Sequence, residues 1–292
     1  MKGRESIRPD DLAITIRKVE QDYLASIRQN RFWHRDGPLA THFINALQAT
    51  FPEGERFFMA AARDGVKRLK HRGALDDQLE RDYEAFLRQE GAHSVQHARW
   101  NDALVSVGYG YIETYDAQLR SLRRWIRRHF SISSRLGMTA AAEHYTATLA
   151  HLLVHGRKSL LPGMARPFQT LMLYHAMEEV EHKAVCYDLY QALSGSYVRR
   201  VATFLFITLD LWISVYLRNR YLLWMDGLRN SPEQRRGMRG FYWGREGLFR
   251  IIWPRVRAYL RPSFHPWQTD ERVELEQRFG SLRRDLGIRA FG

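Results

Sequence analysis

The chain has 292 residues and a formal charge of +13, from 45 Lys and Arg against 32 Asp and Glu. At 45% hydrophobic and 13% aromatic it has the material for a sizeable core, which excludes wholesale disorder and collagen-like or fibrous repeats. Its single cysteine, Cys186, excludes an intramolecular disulfide framework and any cysteine-clustered zinc or iron–sulfur site.

The first twenty residues hold no apolar run, so a secretory signal is not expected and a cytoplasmic compartment is. The basic balance suits anionic surfaces, although the arginines are spread along the whole chain. Apolar residues recur at helical spacing, which predicts an all-α fold. A first helix spans Leu39 to Gln48, with Phe43, Ile44 and Leu47 on one face. Pro52 restarts the chain, with Thr50 as cap and a helix from Glu53 to Leu69. After a turn at His71–Gly73, a long helix runs from Asp76 to Val107 and ends at Gly108 and Gly110. Residues 111–138 read as a connecting stretch that carries the basic amphipathic run RSLRRWIRRHF. Further helices are predicted from Thr139 to His155, stopping at Gly156, and from Pro167 to Leu193. Residues 198–224 are strongly apolar, but Asp210 lies at their middle and the uncharged stretch is short. A buried or surface-lying helix is therefore expected rather than a membrane span. The expected organisation is an N-terminal arm (1–38), a metal-binding bundle (39–197) and a hydrophobic helix with a basic helical extension (198–292).

Two helices carry the same motif. Glu90-x-x-His93 and Glu179-x-x-His182 each put a carboxylate and an imidazole on one helix face. Glu55 precedes Glu90 by 35 residues and Glu143 precedes Glu179 by 36. Folded as two hairpins, this near-repeat puts four carboxylates and two imidazoles at one level of a bundle core. That is the ligand set of the dinuclear sites in ferritin-like four-helix bundles. The longer interval from Glu90 to Glu143 suits a crossover between hairpins. Two divalent cations balance four carboxylates, and oxygen and nitrogen donors without thiolate suit iron, manganese or zinc. The plainer readings are a first-turn helix charge for Glu55 and a solvated face for Glu90 and His93. Tyr83 and Phe86 on the same stripe argue for a buried face instead.

Glu178 rivals Glu179, because it also shares a face with His182. His97 and His175 lie one turn from the motifs, as extra ligands, outer partners, proton relays or ordinary core histidines. Gln89, Asn101, Tyr145, Tyr174 and Asp188 are candidates for the surrounding polar groups. His144 faces elsewhere, and His71, His129 and His265 read as surface or loop residues.

The runs FPEGERFF, QEGAHSVQH and YHAMEEVEHKA resemble a bacterial family of predicted metal-dependent hydrolases. The resemblance covers roughly residues 40–200. It implies Glu55, Glu90, His93, Glu143, Glu179 and His182 as metal ligands, with His97 and His175 beside them.

The leading functional expectation is a di-iron or manganese–iron oxidase or oxygenase acting on an apolar or lipid-like substrate. The alternative is a hydrolase in which two ions activate a water, aided by His97 or His175. A non-enzymatic metal-binding bundle is the third. Expected partners are an apolar small molecule, dioxygen if the chemistry is oxidative, an anionic membrane surface and a second copy of the chain. Nucleic acid is not expected.

Overall fold

The computed structural model describes residues 7–154 and 160–291. The predicted helix end at His155 and Gly156 lies outside them, as do the first six residues of the expected arm. The described residues are helical, with no strand among them beyond one isolated bridge between His34 and Met164.

An extended N-terminal segment leads to α1 (Tyr23–Gln29), capped by Asp22. Next come α2 (Pro38–Gln48) and α3 (Phe51–His71), each with proline in its first turn, where its missing N–H costs nothing. Thr50 sits at the N-cap of α3 as expected, but its side chain makes no capping bond; its hydroxyl donates back to the Leu47 carbonyl at 2.7 Å. The 30-residue α4 (Asp77–Ser106) starts on Asp76, which accepts from the Leu79 N–H at 2.8 Å. Gly108 then turns the chain with φ +107°, a backbone that side chains resist.

The predicted connecting stretch is instead two helices, α5 (Tyr111–His129) and the start of α6 (Ile132–Val154). The basic run is the C-terminal half of α5, whose apolar side is held by Ile112, Tyr115 and Ile126. The helix expected over 167–193 is broken. It forms α7 (Arg166–His182) and α8 (Val185–Leu193). Neither glycine nor proline marks the break, which falls at Lys183. The Lys183 ammonium is buried and tied to Glu271 Oε2 and the Thr269 carbonyl, both at 2.5 Å. Then follow α9 (Tyr197–Met225), α10 (Pro232–Trp243), α11 (Leu248–Tyr259) and α12 (Arg272–Asp285).

Four helices form a closed ring: α3 packs on α4, α4 on α7, α7 on α6, and α6 on α3. Gly65 lets α3 approach α6, since a Cβ there would sit 2.6 Å from Leu136 Cδ1. The ring interior is polar at one level and apolar above and below it. One apolar cluster holds Phe51, Trp100, Phe168 and Tyr174, together with Tyr23 and Ile27 from the N-terminal segment and Tyr259 and Phe264 from the C-terminal one. The other holds Phe58, Phe86, Leu136 and Leu189.

Among the described residues α9 is the one helix long and apolar enough to cross a membrane. It buries Phe204, Trp212, Val215 and Leu222, and packs on α2 and α6. Its other face is exposed and apolar: Leu209 is 63% exposed, Ile213 56% and Leu217 58%.

Candidate metal centre

Each helix of the ring contributes one carboxylate to the polar level. Helix α3 brings Glu55, α4 brings Glu90 with His93 and His97, α6 brings Glu143, and α7 brings His175, Glu179 and His182. All are buried. The six proposed ligands therefore converge on one place, although Glu55 and Glu179 are separated by more than a hundred residues of chain.

Three overlapping groups have ligand atoms within 4.8 Å of one another: Glu90, Glu143 and His182; Glu90, His93 and Glu179; and Glu55, His93 and His175. His182 Nε2 stands 3.2 Å from Glu143 Oε2, 3.3 Å from Glu90 Oε1 and 3.3 Å from Glu179 Oε2, without a hydrogen bond to any of them. One ring nitrogen cannot serve three carboxylates. Donors from three helices, α4, α6 and α7, facing a common point fit a cation at that point. The same absence of partners holds for both oxygens of Glu55, Glu90 and Glu143, for Glu179 Oε2 and for His93 Nδ1. Buried carboxylates left this way are costly unless something neutralises them.

Burial and the neighbouring carboxylates push Glu55 well above the usual range. Burial first, with Glu179 adding, pushes Glu90 up to about 8. Glu143 is likewise pushed up to about 8, by burial against the pull of His182. Burial also raises Glu179, but His182 and His175 outweigh it and hold that carboxyl well below its ordinary value. Burial lowers His182, yet Glu179 and Glu143 reverse the sign and hold it well above. Without a cation the level therefore keeps one ion pair and stores protons on the remaining carboxyls.

The outer nitrogens of the two motif histidines are held from behind. His182 Nδ1 bonds Gln89 Oε1 at 2.7 Å, and Gln89 Nε2 donates to Glu181 Oε2 at 2.8 Å. His93 Nε2 bonds Glu178 Oε2 at 2.9 Å. Glu178 is thus on the far side of His93, and Glu179 is the member of the pair that faces the cluster. Both outer acids end on Arg17, itself 2% exposed. Its guanidinium donates to Glu181 at 2.7 and 3.0 Å and its backbone N–H to Glu178 Oε1 at 2.8 Å. Arg17 also donates to the carbonyls of Arg289 and Ala290, at 3.0 and 2.9 Å. Orienting partners of this kind fix the tautomer and direction of metal-binding imidazoles.

A second polar chain leaves the level through His175. Its Nε2 bonds Glu179 Oε1 at 2.7 Å, and its Nδ1 meets His97 Nε2 at 3.0 Å. His97 Nδ1 continues to Gln48, which donates to Asn101 Oδ1 at 2.8 Å. Burial and the neighbouring histidines hold both His97 and His175 below the ordinary imidazole value.

A family model described as predicted metal-dependent hydrolase matches residues 15–270. The chain belongs to this family. No curated protein and no solved structure gives a significant match. The matched span begins at Thr15 and so includes Arg17 as well as all four ring helices.

Among the other expected polar neighbours, Gln89 and Asn101 join these chains and Tyr174 packs its ring on His93 at 5.3 Å. Two do not join them. Tyr145 bonds Thr208 at 2.9 Å, and Asp188 pairs with His265 at 2.9 Å. His144 points away, to the Arg255 carbonyl at 3.0 Å. Sequence reasoning missed Arg17, Glu181 and Gln48. A signal existed for the first two: the run EEVEH needs a buried cation, and Thr15 and Arg17 alternate with Ile14 and Ile16 in an extended segment.

Proposed function

We propose that the chain is a metal-dependent hydrolase with two divalent ions held by Glu55, Glu90, His93, Glu143, Glu179 and His182. The observation that carries this reading is the set of buried, mutually facing carboxylate and imidazole atoms without hydrogen-bond partners. Family membership supports hydrolysis over oxidation. The donor set of oxygens and imidazoles without thiolate suits iron, manganese or zinc.

Bound ions supply positive charge and Lewis acidity, which make a water nucleophilic near neutral pH and polarise the group it attacks. The chain's own residues supply the rest. Arg17, through Glu178 and Glu181, keeps His93 and His182 aimed inward. His175, held neutral by burial, donates its Nε2–H to the Glu179 carboxylate and turns its acceptor Nδ1 to His97 Nε2, so the pair can hold and hand on a proton. The two apolar clusters exclude bulk water from above and below.

A second reading has one specific support. Glutamates on α3 and α6, with Glu-x-x-His on α4 and α7, are the ferritin-like arrangement in which di-iron proteins activate dioxygen. Metal content and ester hydrolysis assayed with and without dioxygen separate the two. Two ions per chain with hydrolysis indifferent to dioxygen supports the first reading. Dioxygen consumption by the iron-loaded, reduced protein without hydrolysis replaces it with the second. A protein that binds no metal ends both.

A further inference from the structure

A cavity of about 130 Å³ lies between α3, α5, α6 and α9. Its lining is largely apolar, with Phe57, Phe58, Met138, Leu149, Ile207 and Leu211 among the walls. A cavity of about 150 Å³ with such a lining stays dry and takes a benzene-sized group, so this one has room for roughly six carbons. Its carboxylates do not make it anionic. Glu53 is ringed by Arg56, Arg120 and Arg123, and Asp210 is opposed by Arg218.

The cavity adjoins the metal level. Phe51 lines it and packs its ring against His97 at 4.8 Å and His175 at 5.1 Å. Gly54 and Ala142 line it and directly precede Glu55 and Glu143. Thr146, another lining residue, bonds the Glu143 carbonyl at 2.9 Å. At its other side the cavity meets the exposed face of α9. Phe206 belongs both to the lining and to the exposed apolar residues, and Leu209, Ile213 and Leu217 continue that stripe along the helix. An occupant that reaches from the cavity along this stripe is therefore longer than the cavity.

We propose that this cavity binds the hydrocarbon chain of an acyl compound, with the acyl end at Phe51 and the tail leaving between α5 and α9. The placing of the reacting end rests on the proposed metal centre. The preference for a chain rests on the cavity alone.

The probes are decanoate and acetate, titrated by calorimetry into the full-length protein with and without added metal. Decanoate is expected to bind at least tenfold more tightly than acetate in both states. Leu211→Trp on α9 and Leu149→Trp on α6 fill the cavity from two sides without touching a proposed ligand. Each is expected to weaken decanoate at least tenfold at unchanged metal content and helicity. Two substitutions guard against one that misfolds. Equal binding of the two probes, or decanoate binding unchanged in both folded variants, overturns the proposal. Metal binding without decanoate binding removes this proposal and leaves the metal centre standing. Decanoate binding blocked by the tryptophans in a protein that takes no metal does the reverse.

Discussion

The Arg17 guanidinium forks onto both oxygens of Glu181, at 2.7 and 3.0 Å, across 164 residues of chain. It sets a positive charge behind a level that holds four carboxylates. Arg17 pairs with Glu181 and Glu178, and through Gln89 and directly these two acids orient His182 and His93.

Arg17→Ala leaves two buried acids without their cation. Removing one partner of a buried pair costs about 3–5 kcal/mol. Metal affinity is expected to fall about 10–100-fold, as when outer partners of ligating histidines are lost. Arg17→Lys keeps the charge but not the fork, and is expected to fall between the two. Urea unfolding and competitive metal titration read the two effects separately. Wild-type metal affinity in Arg17→Ala would show that the outer chains do not hold the histidines.

The metal-free protein should grow less stable as pH rises. Glu90 and Glu143 move from an ordinary 4.5 to about 8 in the folded chain. The folded state therefore holds protons that the unfolded chain gives up above about 4.5. Their contribution is present below that value and is lost as pH climbs through about 8. Glu90→Gln removes one such group. Relative to the parent, the metal-free variant is expected to gain stability at pH 8.5 and show no such gain at pH 4. Metal affinity of the parent should rise over the same window, because an ion displaces those protons. Thermal unfolding across pH, with and without chelator, checks both. A pH-independent difference between parent and variant contradicts the stored protons.

Gly65 sets the distance between the helices that carry Glu55 and Glu143. Gly65→Val meets Leu136 and should cost about 1–3 kcal/mol by overpacking. If α3 and α6 part, metal content is expected to drop along with stability. Metal analysis of the folded variant decides it: full loading would mean that Leu136 absorbs the clash and the helices stay in place.

His97 links His175 to Gln48, stands 3.5 Å from Glu55 Oε1 and packs its ring on Phe51. His97→Phe is expected to lower turnover by about 10²–10⁴-fold, the usual worth of a positioned acid–base group, with metal content unchanged. A pH–rate profile distinguishes proton handling from packing. Loss of one limb supports the relay, and a uniformly scaled profile speaks against it.

Much of this centre was legible beforehand. The two Glu-x-x-His motifs and their matched upstream glutamates depend on helical period and on equal hairpin lengths, and both are local properties of the chain. The all-α class followed from the same periodicity. Helix α5 was missed because its polar, arginine-rich composition reads as surface whether or not it is helical; Ile112, Tyr115 and Ile126 decide the matter by packing. The break at Lys183 was missed because its cause is remote. Glu271 and Thr269, over eighty residues away, draw the ammonium aside.

The sequence by itself determined the helices and which of their faces carry carboxylate and imidazole, since spacing along a helix sets direction around it. It left Glu178 and Glu179 unresolved, because adjacent residues differ by only about 100° and either can be turned toward a core. Tertiary structure decided that choice by placing Arg17 behind α7, so that Glu178 and Glu181 face a cation and Glu179 faces the cluster. It also decided where the cavity lies, since a void exists only between packed helices. Burial, convergence and the pairing of distant charges are properties of the folded chain, and no local pattern encodes them.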